Sequence, residues 1–513
     1  MPYADGARFN PNKGCLPGTR EKVIAEIWDW VNQNSDDTPR IYFLNDVAGS
    51  GKSAIAHEIA RRFDKLKRLG SSYCFDRGRQ AERSPSNVFS TIARGLADLD
   101  PERKASLLDV IRENRELRTT LVPSEQFRRF ILEPSQGLTT VGPTVIVIDA
   151  LDEGGDEESR RDLLSVLGKE AAELPCNFRV LITSRAEKDI QDALLGKKHV
   201  ISRSLKDIDP NPAHAVTLFV KDQLGKITDL ERKWPNDDWC RLLVEKSEGL
   251  FQWASTACRF VKGDGLKGVD PVEQLDILLT SQSPHLDVLD GLYLKILTQL
   301  FGTGSNDSIM RRFRSVMGCI LAAKEPLSIS ALHKLRDEHG SGHEVDLIVR
   351  PMGSLLTDVT QTFDPVRLLH TSFRDFLTDR SRSGQYYIDT SLHHDGLARS
   401  SLDVMMDELC FNICQLENSH LRNNDVVDLS ARIKTYISTQ LSYSCRFWAD
   451  HVRATAVTPG LDAKVKAFFE TKILYWLEVL SLIKKVPDGL SALSSTMDWS
   501  KVSARVVRAP TWI

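Results

Sequence analysis

A glycine-containing turn between a predicted strand and a predicted helix constrains the fold of this chain more than any other feature. The apolar run IYFL is followed by NDVAGSGKS at 45–53, and then by a segment with apolar residues at helical spacing. Glycine lets the backbone turn its N–H groups inward, and the start of the helix adds a positive dipole end. The combination predicts a phosphate-binding loop in an α/β fold.

The residues of this loop have separate predicted roles in holding a nucleotide. We expect Lys52 to reach the β- and γ-phosphates, and Ser53 to coordinate Mg²⁺. The full set of predicted nucleotide contacts in the loop is Val47, Ala48, Gly49, Ser50, Gly51, Lys52 and Ser53. Asp46 stands where the usual motif has glycine. Its carboxylate either tightens or distorts the loop or repels phosphate, so it affects nucleotide affinity and turnover more than the fold.

Acidic residues and an arginine follow two later apolar runs. The run VIVI leads directly to Asp149, which a buried strand would deliver to the carboxyl edge of a sheet, where it can hold Mg²⁺. Asp152 and Glu153 come next, and an acid in this place can orient an attacking water. The run VLITS ends at Arg185, whose guanidinium suits phosphate oxygens. Asp152, Glu153 and Arg185 are therefore the predicted catalytic residues.

The order of apolar runs and helical patterns predicts the fold class. Strand and helix signals alternate from about residue 20 to 204, which favours a parallel sheet flanked by helices. The predicted strands are 41–44, 70–75, 144–148 and 179–183, and the predicted helices include 19–31 and 88–108. After residue 205 helical periodicity dominates, with proline-containing breaks at 209–212, 283–284 and 325–326. This region is predicted to be mainly α-helical.

Composition narrows the class of protein. A chain of 513 residues is expected to form two to four domains. Lys plus Arg (67) nearly balances Asp plus Glu (70), which gives no reason to expect nucleic acid or an anionic membrane surface as a partner. No apolar run approaches the roughly 18–20 residues needed to span a bilayer, and the first 14 residues lack an apolar signal core. A cytoplasmic location is therefore predicted.

The nine cysteines are scattered and odd in number, which does not suit a disulfide framework. Buried thiols are the favoured interpretation. A metal site formed by Cys410, Cys414, His393 and His394 is the alternative, although this spacing matches no familiar zinc pattern.

Several stretches resemble the NACHT class of STAND-type P-loop signal-transduction ATPases, and in particular the large fungal NACHT proteins with a nephrocystin-type N-terminal region. The most specific are VIVIDALDE at 145–153 and LLHTSFRDFL at 368–377. Supporting stretches are GTR at 18–20, VLITSR at 180–185, GLFQWASTACRFV at 249–261, LDGLYLKIL at 289–297 and EPLSISALHKL at 325–335. Together they span nearly the whole chain.

The resemblance implies a division into domains. The expected parts are a short N-terminal tail (1–18), a NACHT-type P-loop domain (19–204), a helical domain (205–285), a winged-helix-like domain (286–390) and a C-terminal helical domain (391–513). Because so few residues precede the P-loop domain, an N-terminal effector domain is expected to be absent. A sensor of the repeat type is expected to be absent, on another chain or lost from the gene model, so effector and sensor partners are unknown.

The resemblance also implies how such a chain works. In this family ADP holds the core closed, and exchange for ATP opens it into an oligomer, so ATP or ADP with Mg²⁺ and self-association in the ATP-bound form are expected. His370 matches the winged-helix histidine that touches the bound diphosphate, and a histidine satisfied within a helical core is the alternative. Thr19 and Arg20 match positions near the adenine. The apolar helix predicted at 473–483 is either core or a surface for a partner.

Three classes of function remain open at this stage. The first is a slow ATPase that serves as a switch, and the second is a nucleotide-binding scaffold with little or no hydrolysis, which Asp46 favours. The third is a DNA-binding regulator that uses the winged helix. The cluster Arg311, Arg312 and Arg314 is more typical of a solvated surface, so no nucleic acid is expected. A metabolic kinase is least favoured, because most of the chain is helical and no second substrate site is evident.

Overall fold

The protein divides into two compact units in its computed structural model. The structure describes residues 1–33, 35–136, 142–227, 236–266, 268–279, 287–302, 307–336, 344–418 and 420–507. One unit comprises Met1–Cys258 and Asp276–Ser281, and the other comprises Arg259–Leu275 and Gln282–Ile513. The proline break at 283–284 and the domain boundary predicted after residue 285 lie outside the described residues. The finer division into domains stays a prediction.

The first unit contains a parallel five-stranded sheet. Its strands are β1 (Ile41–Asn45), β2 (Leu69–Cys74), β3 (Thr144–Asp149), β4 (Phe178–Ser184) and β5 (Val200–Ser204). Their order across the sheet is β2-β3-β4-β1-β5, and every neighbouring pair is parallel. The predicted parallel sheet with flanking helices is confirmed. The sequence reasoning missed β5, an edge strand whose residues are partly exposed and show no continuous apolar run.

Twelve α-helices begin within the described part of the first unit. They are α1 (Glu21–Val31), α2 (Lys52–Lys65), α3 (Val88–Leu99), α4 (Pro101–Glu113), α5 (Pro123–Gln126), α6 (Glu133–Ser135), α7 (Glu157–Lys169), α8 (Lys188–Leu194), α9 (Leu205–Ile208), α10 (Ala213–Gly225), α11 (Asp237–Ser247) and α12 (Phe251–Lys262). The single helix predicted over 88–108 is wrong. Two helices meet at Asp100, whose side chain accepts a hydrogen bond from the Glu102 N–H and so caps α4, and Pro101 suits the first helical position.

The sheet is buried on both faces along its three central strands, β3, β4 and β1, which are mainly apolar. Alternate residues of a strand point to opposite faces. Ile146 and Ile148 of β3 lie in the core that includes α3 and α7, whereas Val145 and Val147 lie in the core that includes α1 and α2. Two helical layers therefore cover the sheet, as its run of buried strands predicts.

Residues 4–10, here called the N-terminal strap, pack against β2 and its neighbours. Ala4 and Ala7 are buried. The Ala7 carbonyl accepts from the Cys74 N–H at 2.7 Å, the Phe9 N–H donates to Ser72 Oγ at 3.0 Å, and the Ala4 N–H donates to Thr91 Oγ1 at 3.1 Å. β2 is an edge strand, so the strap supplies partners for an edge that would otherwise be open. Part of the segment predicted as a tail is thus built into the first unit.

The second unit is mainly helical. Helices α12 and α13 (Pro271–Leu279) each have residues in both units. The helices that follow are α14 (Val288–Phe301), α15 (Asp307–Ala322), α16 (Ile329–Leu335), α17 (Glu344–Val349), α18 (Thr371–Leu377), α19 (Arg380–Ser383), α20 (His394–Glu408), α21 (Leu429–Tyr436), α22 (Thr439–Arg453), α23 (Pro459–Thr471), α24 (Ile473–Leu482) and α25 (Val486–Val507). The short strands β6 (Leu356–Thr357) and β7 (Arg367–Leu368) pair antiparallel. A mainly helical second half is confirmed, and the winged helix stays a prediction.

The helix predicted at 473–483 is α24, and it is buried on one face only. Trp476 is fully buried and packs edge-on against Trp448, with ring centroids 6.3 Å apart. Leu474 on the same helix is 73% exposed. The core interpretation therefore accounts for one face of α24. No helix among the described residues is both long and apolar enough to cross a bilayer.

A chain of hydrogen bonds in the second unit, here called the histidine–tyrosine chain, links the Lys324 backbone to His394 through the buried side chains of Tyr443 and His451. The Lys324 N–H donates to the Tyr443 hydroxyl at 3.1 Å, which lies 2.7 Å from His451 Nε2. His451 Nδ1 lies 2.9 Å from His394 Nδ1. When the Tyr443 hydroxyl donates to Nε2, the neutral His451 ring carries its proton on Nδ1 and donates it to His394. Each contact in this chain can pair one donor with one acceptor.

All nine cysteines are free thiols, and six of them are buried. The metal alternative at Cys410 and Cys414 gains no support, because Cys410 is exposed and His394 is engaged by His451. Among the described residues, one group of three side chains has suitable ligand atoms close together, and it lies elsewhere, at His57, Cys74 and Asp149.

Candidate functional site

The loop between β1 and α2 is held in a turn that requires glycine. Gly49 and Gly51 have φ of 78° and 96°, values that side chains with a Cβ rarely adopt. Lys52 opens α2 directly after Gly51, and its Nζ donates to the carbonyls of Asp46 and Val47, each at 2.8 Å. The lysine side chain therefore lies along the inside of the turn, and its reach to the β- and γ-phosphates stays a prediction.

Burial alters the acid–base chemistry of Lys52. The side chain is only 9% exposed, and this burial lowers the pKa of Lys52 to about 8. Asp152, Asp46 and Asp149 oppose the shift and Arg185 adds to it. A cation that is short of water and close to several acids can be stabilised further by an anionic ligand.

Asp46, the departure from the usual motif, tightens the turn. Its Oδ1 accepts from the Val47 N–H at 2.6 Å, and its own N–H donates to the Ser184 carbonyl at 3.4 Å. The residue is 7% exposed. Of the alternatives given for Asp46, these contacts match the one in which the carboxylate tightens the loop.

The carbonyls of the loop accept hydrogen bonds from residues that lie before β1 and after β5 in the first unit. Arg20 donates from Nη2 to the Ser50 carbonyl at 2.8 Å and from Nη1 to Asp209 Oδ2 at 3.0 Å. The Gln252 N–H donates to the Gly49 carbonyl at 3.1 Å. Thr19 Oγ1 donates to the Leu16 carbonyl at 2.6 Å. Arg20 thus contacts the loop directly, whereas Thr19 bonds the Leu16 carbonyl, and the contact of both residues with adenine stays a prediction.

Accessibility varies along the loop. Val47 and Ser53 are exposed, Ala48, Gly49 and Gly51 are half-buried, and Ser50 is buried with its Oγ donating to the Val47 carbonyl at 2.9 Å. The exposed hydroxyl of Ser53 in the first turn of α2 is an oxygen ligand of the kind Mg²⁺ prefers.

Because β4 lies between β1 and β3, its last residues reach both neighbouring strands. Thr183 Oγ1 donates to Asp149 Oδ1 at 2.5 Å and accepts from the Ala150 N–H at 3.0 Å. Ala150 has a φ of 55°, so the chain turns sharply just after Asp149. Sequence reasoning assigned no role to Thr183, although its place in the run LITSR, two residues before Arg185, was the available signal.

Asp152 and Arg185 form a close pair. Asp152 Oδ1 accepts from the Arg185 N–H at 3.0 Å and from Ser184 Oγ at 3.3 Å, and its Oδ2 lies 3.1 Å from Arg185 Nε. The structure brings these two predicted catalytic residues together, and each orients the other. Asp152 is 3% exposed, so this ion pair is largely removed from water.

Arg160, which sequence reasoning missed, holds the segment after β3. Its Nη1 donates to the carbonyls of Asp152 and Gly155 at 2.9 and 2.8 Å, and its Nη2 lies 2.6 Å from Glu187 Oε2 and 2.9 Å from Asp189 Oδ2. The residue is 3% exposed. One buried arginine therefore ties the acidic segment after Asp149 to the segment after Arg185.

Glu153 is a half-buried acid with an unusual pKa. Its Oε2 accepts from the Arg77 N–H at 3.2 Å. Burial and the neighbouring charge of Asp152 raise the pKa of Glu153 to about 8, although the hydrogen bond from Arg77 opposes the shift. A carboxyl with a pKa in this range can exchange a proton near neutral pH.

His57 on α2 is a further residue beside Asp149 that sequence reasoning missed. Its Nε2 lies 4.0 Å from Asp149 Oδ2, and its Nδ1 accepts from the Asn10 N–H at 3.2 Å. Cys74 completes a group whose ligand atoms all lie within 4.8 Å of one another. Burial lowers the pKa of His57, which the Asp149 carboxylate opposes, and burial raises the pKa of the Cys74 thiol.

The chain is similar to known proteins in two comparisons. Residues 18–185 match the family model of the nephrocystin 3 N-terminal region. The chain is also 23% identical, over an alignment of 548 residues, to the vegetative incompatibility protein HET-E-1 of Podospora anserina. That alignment covers 96% of this chain and 37% of the relative, so the chain spans well under half of that protein's length. The predicted resemblance to fungal NACHT proteins with a nephrocystin-type N-terminal region is confirmed.

The nephrocystin-type region contains nearly all the predicted site residues. It includes the loop, Asp149, Asp152 and Glu153, and it ends at Arg185. His57, Thr183 and Arg160 also lie within it, whereas Asn10 of the strap precedes it. Ser53 and Asp149 offer oxygen ligands of the kind that Mg²⁺ favours. The turn of positive-φ glycines before α2 suits a phosphate group.

His370 lies outside the nephrocystin-type region, at the start of α18 in the second unit. Its Nδ1 accepts from the Ser372 N–H at 3.1 Å and lies 2.7 Å from Ser372 Oγ, which in turn lies 2.7 Å from the Tyr293 hydroxyl. Because Nδ1 accepts, the neutral ring carries its proton on Nε2. His370 is thus a helix cap, and its predicted contact with a diphosphate stays a prediction.

Proposed function

We propose that the chain is a NACHT-type switch that binds ATP or ADP with Mg²⁺ at the loop of Lys52. The observation that carries this proposal is the environment of Lys52. A buried lysine in a positive-φ glycine turn lies close enough to Asp149, Asp152 and Arg185 for all three to affect its pKa. These residues come from three neighbouring strands whose carboxyl ends meet at one edge, where open parallel sheets bind ligands.

Each residue has a proposed task. The N–H groups of 48–53 and the Lys52 ammonium hold the phosphates, whereas the Val47 N–H is already engaged by Asp46. Ser53 and Asp149 hold Mg²⁺, which neutralises phosphate charge when bound. Asp149 is prepared for this task by the hydrogen bond from Thr183. Glu153 orients and deprotonates the attacking water, and Arg185, oriented by Asp152, stabilises charge on the phosphoryl group.

A nucleotide-binding scaffold with little or no hydrolysis is the second candidate, and Glu153 favours it. An acid with a pKa of about 8 is mostly protonated at pH 7, and a protonated carboxyl cannot accept a proton from water. Asp152 is engaged by Arg185. The two candidates share the nucleotide site and differ in whether that site hydrolyses ATP.

The nucleotide site is tested by measuring what the protein carries and binds. We expect purified protein to release ADP on denaturation, and Lys52→Ala to lose at least about 100-fold in ATP affinity by calorimetry, since hydrogen bonds to charged groups contribute about 1.5–3 kcal/mol each. Lys65→Ala, at the exposed far end of the same helix, is the matched control. Equal affinity in wild type and Lys52→Ala, with unchanged melting temperatures, would refute the proposal.

We further propose that His370 gates self-association of the chain. It rests on the LLHTSFRDFL resemblance and on the Nε2–H of His370, which is a donor of the kind that binds a diphosphate oxygen. A charge-assisted bond of about 1.5–3 kcal/mol made only in the closed, ADP-bound form changes the closed-to-open ratio roughly 10- to 150-fold. Self-association in the ATP-bound form is the expected consequence. The partners upstream and downstream stay unassigned.

His370→Leu tests the gate by size-exclusion chromatography with light scattering and analysis of retained nucleotide. We expect the variant to lose ADP and self-associate, whereas His420→Leu, an exposed histidine of the same unit, behaves as wild type. A His370→Leu protein that stays monomeric and keeps its ADP rules out this histidine while leaving the nucleotide site intact.

The DNA-binding alternative is not proposed. Arg312 pairs with Glu344 at 3.1 Å, and Arg314 donates to the Gln385 carbonyl at 2.8 Å. These engagements favour a structural interpretation of the cluster. The proposed switch is placed in the cytoplasm, in keeping with the sequence.

A further inference from the structure

His57 has no place in the proposed binding or catalytic machinery, yet it is buried beside the carboxylate proposed to hold Mg²⁺. It lies on α2, five residues after Lys52, and is 6% exposed. Of the two Asp149 oxygens, Oδ1 is held by Thr183 and Oδ2 faces His57 Nε2 at 4.0 Å. The two side chains therefore flank Asp149 from a strand on one side and from a helix on the other.

The N-terminal strap determines which ring nitrogen of His57 carries the proton. The Asn10 N–H points at Nδ1, so Nδ1 must accept and the neutral ring carries its proton on Nε2. That proton lies on the side of Asp149 Oδ2. A separation of 4.0 Å is longer than a hydrogen bond, but an N–H dipole still attracts a carboxylate at this distance in a buried place.

A metal ion held by His57, Cys74 and Asp149 is the competing interpretation, and the tautomer argues against it. Coordination through Nε2 would require the proton to move to Nδ1, where it would face the Asn10 N–H. Metal-bound histidines normally donate their other N–H to an acceptor. Cys74 would contribute little to metal binding, because burial raises its pKa and keeps it a thiol, whereas metals bind the thiolate.

We propose that His57 is a positioning residue for Asp149, and that the strap, through the Asn10 N–H, controls how well Asp149 supports Mg²⁺-dependent nucleotide binding. This inference rests on the proposed function of Asp149. The strap is attached chiefly by backbone hydrogen bonds to Ser72, Cys74 and Thr91 in addition to His57. Lifting it would free His57 Nδ1 and let the ring adopt the other tautomer, which removes the donor facing Asp149.

The first test separates the two ring nitrogens with matched substitutions. The amide of Gln overlays the Nε2 position, and the amide of Asn overlays Nδ1. We expect His57→Asn to raise the Mg²⁺ concentration needed for half-maximal ATP binding roughly tenfold, the low end of what partners of metal ligands contribute. His57→Gln should stay close to wild type, and nucleotide affinity measured in EDTA should be the same in all three proteins.

The second test acts on the strap. Asn10→Pro removes the N–H that faces His57, and Asn10→Ala keeps it while removing the same side chain. We expect Asn10→Pro to raise the Mg²⁺ requirement as His57→Asn does, and Asn10→Ala to leave it unchanged. Long-range ¹H–¹⁵N spectra of histidine-labelled protein report the tautomer directly, with His57→Gln identifying its signal among the 12 histidines. The Nε2–H form is expected in wild type and is expected to be depleted in Asn10→Pro.

The outcomes are distinguishable. If wild type binds nucleotide with no Mg²⁺ dependence, the role of Asp149 fails and this inference fails with it. If wild type depends on Mg²⁺ but His57→Asn and His57→Gln match each other, only this inference is overturned. If the His57 variants change only the melting temperature and not the Mg²⁺ dependence of ATP binding, His57 has a packing role and the inference is overturned. Stoichiometric Zn²⁺ binding that Cys74→Ser abolishes would establish the metal site instead.

Discussion

The two units bury polar groups in opposite ways. At the carboxyl edge of the sheet, Lys52, Asp149, Asp152 and Arg185 crowd several charges into one place. In the histidine–tyrosine chain of the second unit, neutral groups meet donor to acceptor, one to one. Burial of polar atoms is common to both. The difference is that the neutral groups of the second unit satisfy one another, whereas the charged groups of the first unit lie together at a sheet edge where open parallel sheets bind ligands.

The direction of the pKa shifts sharpens this contrast. Burial brings the pKa of Lys52 down to about 8 and that of Glu153 up to about 8, so both approach neutral pH. In the second unit burial lowers the pKa of His451 to about 3 and raises that of Tyr443, so both move away from it. Groups that titrate near the working pH are suited to chemistry, and groups that never titrate there are suited to holding a fold.

The largest expected effect is on turnover at the sheet edge. Glu153→Gln should slow hydrolysis of bound ATP by about 100-fold or more while changing ATP affinity little, because Gln keeps the size and loses the base. The wild-type rate should rise with pH up to about 8, as Glu153 deprotonates, and the variant should lack this rise. Single-turnover assays measure both.

Two other acids serve as controls for this prediction. Glu157→Gln, an exposed acid nearby, should be neutral. Asp149→Asn should weaken Mg²⁺-dependent binding instead of turnover. If Asp149→Asn and Glu153→Gln lose binding equally and turnover per bound ATP is unchanged, the assigned division of labour is wrong.

The next largest expected effect is on stability, when the buried charge of Arg160 that pairs with Glu187 and Asp189 is removed. Arg160→Leu should lower the free energy of unfolding by about 3 kcal/mol, because it leaves two carboxylates and two carbonyls without their common donor. Arg161→Leu, the exposed neighbour, should change it little. Urea unfolding of both variants provides the comparison, and similar midpoints would mean that Arg160 is replaceable.

The contribution of the histidine–tyrosine chain to stability should depend on pH through His451. The folded-state pKa of His451, about 3, lies below its ordinary value of 6.5, so as pH falls the unfolded chain binds this proton first. Stability from this group is therefore full above pH 6.5 and falls below it, by about 2 kcal/mol by about pH 5. His451→Leu should flatten that part of the pH dependence, and His420→Leu should not. Denaturant midpoints at several pH values test this, and equal slopes in all three proteins would contradict it.

The smallest expected effect separates the charge of Asp46 from its hydrogen bond. Asp46→Asn keeps an acceptor for the Val47 N–H and removes a negative charge near the phosphates, so ATP affinity should rise a few-fold, on the order of 1 kcal/mol. Asp46→Gly removes both and should gain less. Calorimetry with ATP ranks the two, and a weaker affinity in Asp46→Asn would show that the charge itself is useful.

What could be predicted from sequence was local in the chain. Gly49, Gly51 and Lys52 lie within four residues, and Asp149 follows its strand directly, so their placement could be predicted from a short window. His57, Thr183 and Arg160 could not, because their partners lie 92, 34 and up to 29 residues away. Strand β5 was missed because this edge strand has no continuous apolar run. The break at Asp100 was missed because the apolar periodicity continues through it, although Asp100 caps a new helix there.

The position of β4 between β1 and β3 limits how this chain can change in length. Residues 183 and 184 reach Asp149 on one side and the Asp46 N–H on the other, so one short segment aligns both. Deleting a single residue within β4 would turn Thr183 to the opposite face and disturb both alignments at once. Insertions before β4 or after Arg185 would leave these alignments intact. Length variation compatible with an active site is therefore confined to the connections, and β4 itself must keep its residue count.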